Sequence, residues 1–107
     1  MDKTELIVLC KEALSIIATA TLKDKEIEMW IDAGIEDLKR QGIRAETTNA
    51  LVKSAIVMYV KSNFGNVDIK EKELSQKTYN LLCSNLGLSS DYKVVENNAW
   101  YFLQVVK

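Results

Sequence analysis

The chain has 107 residues and nearly balanced charge, with 14 Lys and Arg against 15 Asp and Glu. This length predicts one domain with a modest core, and a hydrophobic fraction of 48% is too high for a disordered chain. A net charge of -1 argues against a dedicated nucleic-acid-binding protein, which normally carries a basic surplus. No apolar run approaches the roughly 20 residues that span a bilayer, and the first residues do not form a signal-peptide pattern. We therefore expect a protein that is made in a reducing cytoplasm and does not enter a membrane.

The residues that most enzymes need are missing from the sequence. There is no histidine, which excludes conventional catalytic triads and histidine metal sites. The four glycines are spread out and form no phosphate-binding loop. Cys10 and Cys83 each lie within an apolar helical pattern that is typical of buried thiols. The alternatives are a disulfide or a shared metal, and two cysteines without histidine cannot complete a tetrahedral site. We expect no enzyme activity, no cofactor and no metal.

Two helices are predicted in the first part of the chain. The first covers residues 2–17 and turns one apolar face inward. The second begins with Asp24 as its N-cap and stops at Gly42. Gly34 lies in the middle of its apolar face, where glycine lowers helix stability by about 1 kcal/mol relative to alanine. Because a small residue at this place allows close packing, we predict that another helix approaches closely there. The predicted inward residues are Leu6, Cys10, Leu14 and Ile17 of the first helix, and Ile27, Trp30, Ile31, Gly34, Ile35 and Leu38 of the second.

The stretch 46–64 is predicted to be the central helix. Its apolar residues fill an arc of roughly 200°, which one neighbouring helix cannot cover. Thr47 or Thr48 is the expected N-cap. We predict that partners pack on two or three sides of this helix. The candidate helix-packing residues are Trp30, Gly34 and Tyr59.

A fourth helix is predicted after Asp68, which is followed by Glu71 in a pattern like a capping box. We expect this helix to end at Gly87 in a left-handed cap, with Leu88 as the hydrophobic residue after it. The predicted inward residues are Leu74, Thr78, Leu81, Leu82 and Leu86.

The tail, residues 93–107, changes to a β-branched and aromatic pattern around a turn at Asn97 and Asn98. It predicts a β-hairpin or an extended arm, with both faces mostly apolar. A lone hairpin is marginal in water, so we expect another surface to cover it. The predicted fold is mainly α, a small bundle of about four helices around a central helix. Residues 1–92 form the bundle, and residues 93–107 form a hairpin or arm that belongs to the same domain or serves assembly.

Three stretches, KDKEIEMWIDAGIEDLKRQGI, LVKSAIVMYVKSNFG and YNLLCSNLGLSSDY, together carry a family resemblance. Over roughly residues 4–92 the chain resembles the small head–tail connector proteins (adaptor or head-completion proteins) of tailed phages and prophages. The resemblance implies a structural virion protein that is made in the host cytoplasm and forms a ring of about twelve subunits. Such a ring docks beneath the portal protein, extends the DNA channel and presents a platform to the stopper or tail-completion protein. The genomic DNA passes through the ring without sequence-specific binding.

The resemblance also implies where partners bind. The C-terminal segment is expected to dock on the portal protein through aromatic anchors, which dominate interface energetics. The acidic side chains of the second helix are expected to form a solvated outer face. The alternative is a surface for a basic partner, and lysines of the neighbouring subunit in the ring are one way to supply it. The candidate anchors are Trp100, Tyr101, Phe102 and Leu103, and the candidate lysines are Lys70, Lys72 and Lys77.

Two other functions remain open at this point. The first is a cytoplasmic helical module for protein–protein interaction. The second is a DNA-binding regulator in which the second and third helices form a helix-turn-helix. The third helix would then enter the major groove, yet Lys53 and Lys61 are its only cations. It is poor material for DNA recognition.

Overall fold

The computed structural model describes residues 3–45, 49–65 and 67–88. Within these ranges the regular structure is helical, with four α-helices and no strand, which confirms a mainly α fold of about four helices. None of the described helices has the length and hydrophobicity to cross a membrane. The predicted hairpin or arm, 93–107, and the boundary at residue 92 lie outside the described residues. The helices are α1 (Lys3–Ala13), α2 (Asp24–Arg40), α3 (Ala50–Asn63) and α4 (Ile69–Leu88).

Helix α3 is the centre of the bundle. Helices α1, α2 and α4 all pack against it, and α4 makes the most extensive contact. The wide apolar arc of α3 is therefore contacted from three directions within one subunit, although Leu51 near its start stays exposed. Phe64, which follows α3, is also almost completely buried. The buried residues of α3 itself are Val52, Ala55, Ile56, Val57 and Val60.

The start of α3 differs from the prediction. Asn49 is its N-cap, with an extended backbone and a side-chain oxygen that accepts hydrogen bonds from the amides of Leu51 (2.8 Å) and Val52 (3.3 Å). Asparagine satisfies two otherwise unpaired amides of the first turn in this way. The predicted caps, Thr47 and Thr48, lie outside the described residues.

Helix α1 ends at Ala13, four residues before the predicted end. Ser15 adopts a left-handed backbone with a φ of 59°, a common way to stop a helix. Because the chain leaves the helix there, Ile17 does not share the inward face and is 74% exposed. Leu6 and Cys10 are fully buried as predicted.

At the start of α2, the predicted N-cap is wrong. Asp24 is the first helical residue, and Lys23 occupies the cap position without a side-chain capping bond. The carboxylate of Asp24 instead lies 2.7 Å from the ammonium group of Lys11 on α1. A tertiary ion pair has therefore replaced a local cap.

The end of α2 is as predicted. Gly42 has a φ of 78°, which is accessible to glycine without strain. Its amide donates to the carbonyl of Lys39, and the amide of Ile43 donates to the carbonyl of Leu38, both at 2.9 Å. These two bonds form a Schellman motif, and the buried side chains of Ile43 and Leu38 are its usual hydrophobic partners.

Helix α4 has a different inward face from the predicted one. Its buried residues are spaced four and three apart, and they begin at Ser75 instead of Leu74. Leu74 and Leu81 point outward and are each 65% exposed. The residues of the buried face are Ser75, Tyr79, Cys83 and Leu86, with Thr78 and Leu82 half-buried at its edge.

The predicted start of α4 is confirmed, and its predicted end is not. Asp68 is its N-cap, since a carboxylate oxygen accepts a hydrogen bond from the amide of Lys70 (3.2 Å). The predicted stop at Gly87 is wrong. The helix runs through Gly87 to Leu88, and the backbone of Gly87 is not left-handed.

Candidate assembly surfaces

Asp37 on α2 connects to α4 through a cluster of hydrogen bonds. Its carboxylate accepts bonds from the hydroxyl of Tyr79 (2.5 Å), the guanidinium of Arg40 (2.6 Å) and the amide of Gln41 (2.8 Å). Burial alone would raise the pKa of Asp37, but the bonds from Tyr79, Arg40 and Gln41 outweigh it and lower the pKa. Burial and the bond to Asp37 raise the pKa of Tyr79. The pair is therefore a neutral phenol bound to a carboxylate at neutral pH.

The three predicted helix-packing residues lie at the contacts of α2 with the core. A Cβ atom added to Gly34 would lie 3.1 Å from Cδ2 of Tyr59, so the two helices approach closely there. The ring of Tyr59 also packs edge-on against Tyr79, with centroids 5.2 Å apart. Trp30 is half-buried at the edge of the core, and its indole N–H has no hydrogen-bond partner among the described residues.

Lys11 is the charged residue that sequence reasoning did not recognise as part of the interior. It is only 5% exposed, because its ammonium group pairs with Asp24 and donates to the carbonyl of Ala18 (3.2 Å). These contacts tie α1 and the connecting segment to the start of α2. Asp32 is likewise bound by Lys3 at 2.8 Å. Helix α2 therefore offers less free negative charge to a neighbour than its composition indicates.

The first candidate surface is an exposed stripe on α4. Leu74 and Leu81 lie seven residues apart on one side of the helix, about two turns. Lys70 and Lys77 lie on the same side, and neither forms an ion pair within residues 3–45, 49–65 and 67–88. We call these four residues the α4 stripe. Exposed apolar side chains bordered by polar ones are typical of protein–protein contact surfaces.

The second candidate surface is a depression of about 410 Å³ between α1 and α3, which we call the α1–α3 groove. The carboxylate of Glu5 and the ammonium of Lys53 form an ion pair of 2.7 Å across it. This pair links α1 to α3, and the rest of the lining is mainly apolar. The lining residues are Glu5, Leu9, Ala50, Lys53, Ser54, Val57 and Met58.

The cysteines are free and buried, so the alternative of a disulfide between them is wrong. Burial raises the pKa of the Cys10 thiol to about 12, and it also raises that of Cys83. Thiols of this kind are poor nucleophiles at neutral pH. In the part of the chain that the structure describes, no three histidine, cysteine, aspartate or glutamate side chains are grouped to hold a metal ion.

The geometry also bears on the DNA-binding alternative. A recognition helix must present one long face to the major groove. Helix α3 instead lies at the centre of the bundle, and its cation Lys53 is already paired with Glu5. The helix-turn-helix interpretation does not agree with this arrangement.

The four predicted portal-docking residues, Trp100, Tyr101, Phe102 and Leu103, lie outside the described residues. Their role stays a prediction, and the described surfaces are those of the bundle alone.

A comparison with models of protein families shows which family the chain belongs to. The family model described as phage connector protein matches residues 7–93. This chain belongs to the phage connector family. The match begins within α1 and spans the whole of α2, α3 and α4. No curated protein and no solved structure matches the chain significantly.

Membership of this family confirms the resemblance to head–tail connectors of phages. The general role is that of a virion component which interacts with other head or tail proteins. A connector is a structural protein and not an enzyme. The candidate surfaces are therefore best considered as contacts with other proteins.

Proposed function

We propose that this protein is a head–tail connector, or adaptor, whose subunits form a ring beneath the portal protein. The ring extends the DNA channel and provides a docking platform for the stopper or tail-completion protein. The observation that carries the proposal is the family match over residues 7–93. A closed ring of about twelve subunits needs two different, complementary surfaces on each subunit.

The α4 stripe is the candidate for one of these two surfaces. Leu74 and Leu81 are both exposed and lie on the same side of α4. Burying both leucines against a neighbour would contribute about 3 kcal/mol or more to the contact. Lys70 and Lys77 border the leucines and give the contact a charge preference. A neighbour with carboxylates on the facing surface is the expected partner.

The C-terminal segment is the proposed portal-docking arm. Residues 1–92 form the helical bundle domain, and residues 93–107 carry the anchors of the arm, Trp100, Tyr101, Phe102 and Leu103. Aromatic anchors supply much of the binding energy in protein interfaces. Deletion of residues 93–107 should leave the helical far-UV circular dichroism largely unchanged and abolish portal binding. Loss of all folding would instead assign this segment to the core.

The DNA is proposed to pass through the ring without sequence-specific binding. The chain has a net charge of -1, so it lacks the basic surplus that would hold a duplex. Titration with duplex DNA should therefore give no sequence-dependent binding. Tight and steeply salt-dependent binding to one sequence would instead support a DNA-binding regulator.

Electron microscopy tests the ring directly. Negative staining of the purified protein at high concentration, alone and with the portal protein of the same phage, should show closed rings or rings joined to the portal. The α4 variant Leu74→Ser/Leu81→Ser provides a comparison, because its bundle should still fold. Rings that form equally well in this variant would remove the α4 stripe from the contact.

A further inference from the structure

We propose that the α1–α3 groove binds the aromatic cluster of the same chain in the free subunit. The aromatic cluster is defined as residues 100–103, WYFL. The proposal concerns the protein before it meets any partner, so it does not depend on the ring or on portal docking.

The groove is an apolar surface that the described residues leave open. Its apolar lining residues are Leu9, Ala50, Val57 and Met58. The neighbouring side chains Val8 and Leu51 are 44% and 46% exposed. A soluble subunit would gain stability if an apolar group covered this area.

The size and chemistry of the groove suit aromatic side chains. A volume of about 410 Å³ is within the range of roughly 300 to 1,000 Å³ that holds large organic groups. Glu5 and Lys53 add polar atoms at the same place, and these can accept from an indole N–H or bond to a phenol. Half of the aromatic residues of the chain follow α4, and they are Tyr92, Trp100, Tyr101 and Phe102.

The C-terminal segment starts at the end of the bundle where the α1–α3 groove lies. The short connection between Asn63 and Ile69 makes α4 antiparallel to α3. Tyr59 and Tyr79 are in contact, and Leu88 and Ala50 each lie nine residues from that contact. At about 1.5 Å per residue the end of α4 is therefore level with the start of α3, where the groove lies.

The length of the segment is sufficient to reach the groove. Eleven residues separate Leu88 from Trp100, and an extended chain spans up to about 3.3 Å per residue. This reach exceeds the roughly 12 Å between Ala50 and Met58 along α3. Attachment to the same chain gives the cluster an effective concentration in the millimolar range, which favours its own groove over that of a second copy.

A thiol placed in the groove tests the proposal in the full-length protein. Ser54 is an exposed groove residue, so Ser54→Cys adds a reactive thiol there. Ser84→Cys is the matched control, because Ser84 is exposed on α4 outside the groove lining. The two native thiols are buried and give a low background. We measure the rate of alkylation by a maleimide at low protein concentration.

The thiol at position 54 should react roughly tenfold or more slowly than the thiol at position 84, because it is covered for most of the time. Adding Trp100→Ala and Phe102→Ala should bring the rate at position 54 close to that at position 84 and leave the latter unchanged. Circular dichroism checks that each variant is folded. Equal rates at position 54 with and without the aromatic side chains would overturn the proposal.

The dependence on concentration distinguishes the same chain from a second copy. Binding within one chain gives protection that is independent of protein concentration. Protection that appears only as the concentration rises would assign the groove to a neighbouring subunit and overturn the proposal as stated. Portal protein is absent throughout, so failure here leaves the connector function to its own test.

Discussion

Tyr79 on α4 donates a hydrogen bond of 2.5 Å from its hydroxyl to the carboxylate of Asp37 on α2. The ring of the same tyrosine packs against Tyr59 on the central helix. One side chain therefore connects three helices. Because α2 and α4 each pack mainly on α3, this bond is the principal polar link between the two outer helices among the described residues.

Removing only the hydroxyl should weaken the bundle. Tyr79→Phe is expected to lower the free energy of unfolding by about 1 to 2 kcal/mol, because Asp37 keeps its bonds to Arg40 and Gln41. Urea denaturation at pH 7 measures the change. Tyr59→Phe is the matched control, since the hydroxyl of Tyr59 has no hydrogen bond within the described structure. It should change stability by only about 0.5 kcal/mol. Equal losses in the two variants would show that the bond contributes nothing.

The same carboxylate should make stability depend on acid pH. The pKa of Asp37 is lowered below its ordinary value of 3.8 in the folded state. Its contribution is therefore fully present above the unfolded pKa and is lost as the pH falls through the folded pKa. Asp37→Asn should show a smaller loss of stability than the parent protein on going from pH 6 to below pH 3. Unfolding free energies measured across this range test the difference. Parallel curves for both proteins would contradict it.

The close contact between α2 and α3 at Gly34 predicts that the stability of the protein depends strongly on the size of the side chain at this position. Gly34→Ala gains about 1 kcal/mol of helix propensity, and its Cβ meets the ring of Tyr59 at 3.1 Å. These effects oppose each other, so we expect a small change in melting temperature. Gly34→Leu has no room at this contact and should destabilise the protein by roughly 2 to 3 kcal/mol. A leucine variant as stable as the parent protein would show that the helices are not closely packed there.

The two faces of α4 should respond differently to mutation. Leu86→Ala removes a buried side chain and should destabilise the fold by about 2 to 5 kcal/mol. Leu74→Ser/Leu81→Ser changes two exposed side chains and should alter the unfolding free energy by less than about 1 kcal/mol. Thermal unfolding compares the two variants. If the serine variant unfolds as readily as the alanine variant, the leucines at positions 74 and 81 belong to the core.

Features of the fold that depend on residues close together in the sequence were mostly predicted correctly, and several features that depend on contacts between helices were not. The apolar face and the C-terminal stop of α2 are correct because a regular periodicity and a left-handed glycine determine them. The face of α4 is wrong because the burial of Ser75 and Tyr79 depends on partners in other helices, and leucine content alone favoured Leu74 and Leu81. The early end of α1 depends on the left-handed backbone of Ser15.

The candidate surfaces were less accessible to sequence reasoning. The α1–α3 groove joins residues about 45 positions apart, and the Glu5–Lys53 pair becomes visible only after folding. The seven-residue spacing of Leu74 and Leu81 was present in the sequence, but it has a functional meaning only when the opposite face is known to be buried. The burial of Lys11 could not be predicted from the sequence either, because it depends on the ion pair with Asp24 of another helix.

The central claim is that the protein is a connector subunit that assembles on the portal. The most direct measurement is the mass of the complex formed when the purified protein is added to isolated portal rings of the same phage. We expect the portal to gain a fixed mass that corresponds to a closed ring of this protein, with saturation at a defined stoichiometry. A protein that stays monomeric and leaves the mass of the portal unchanged at every concentration would contradict the account.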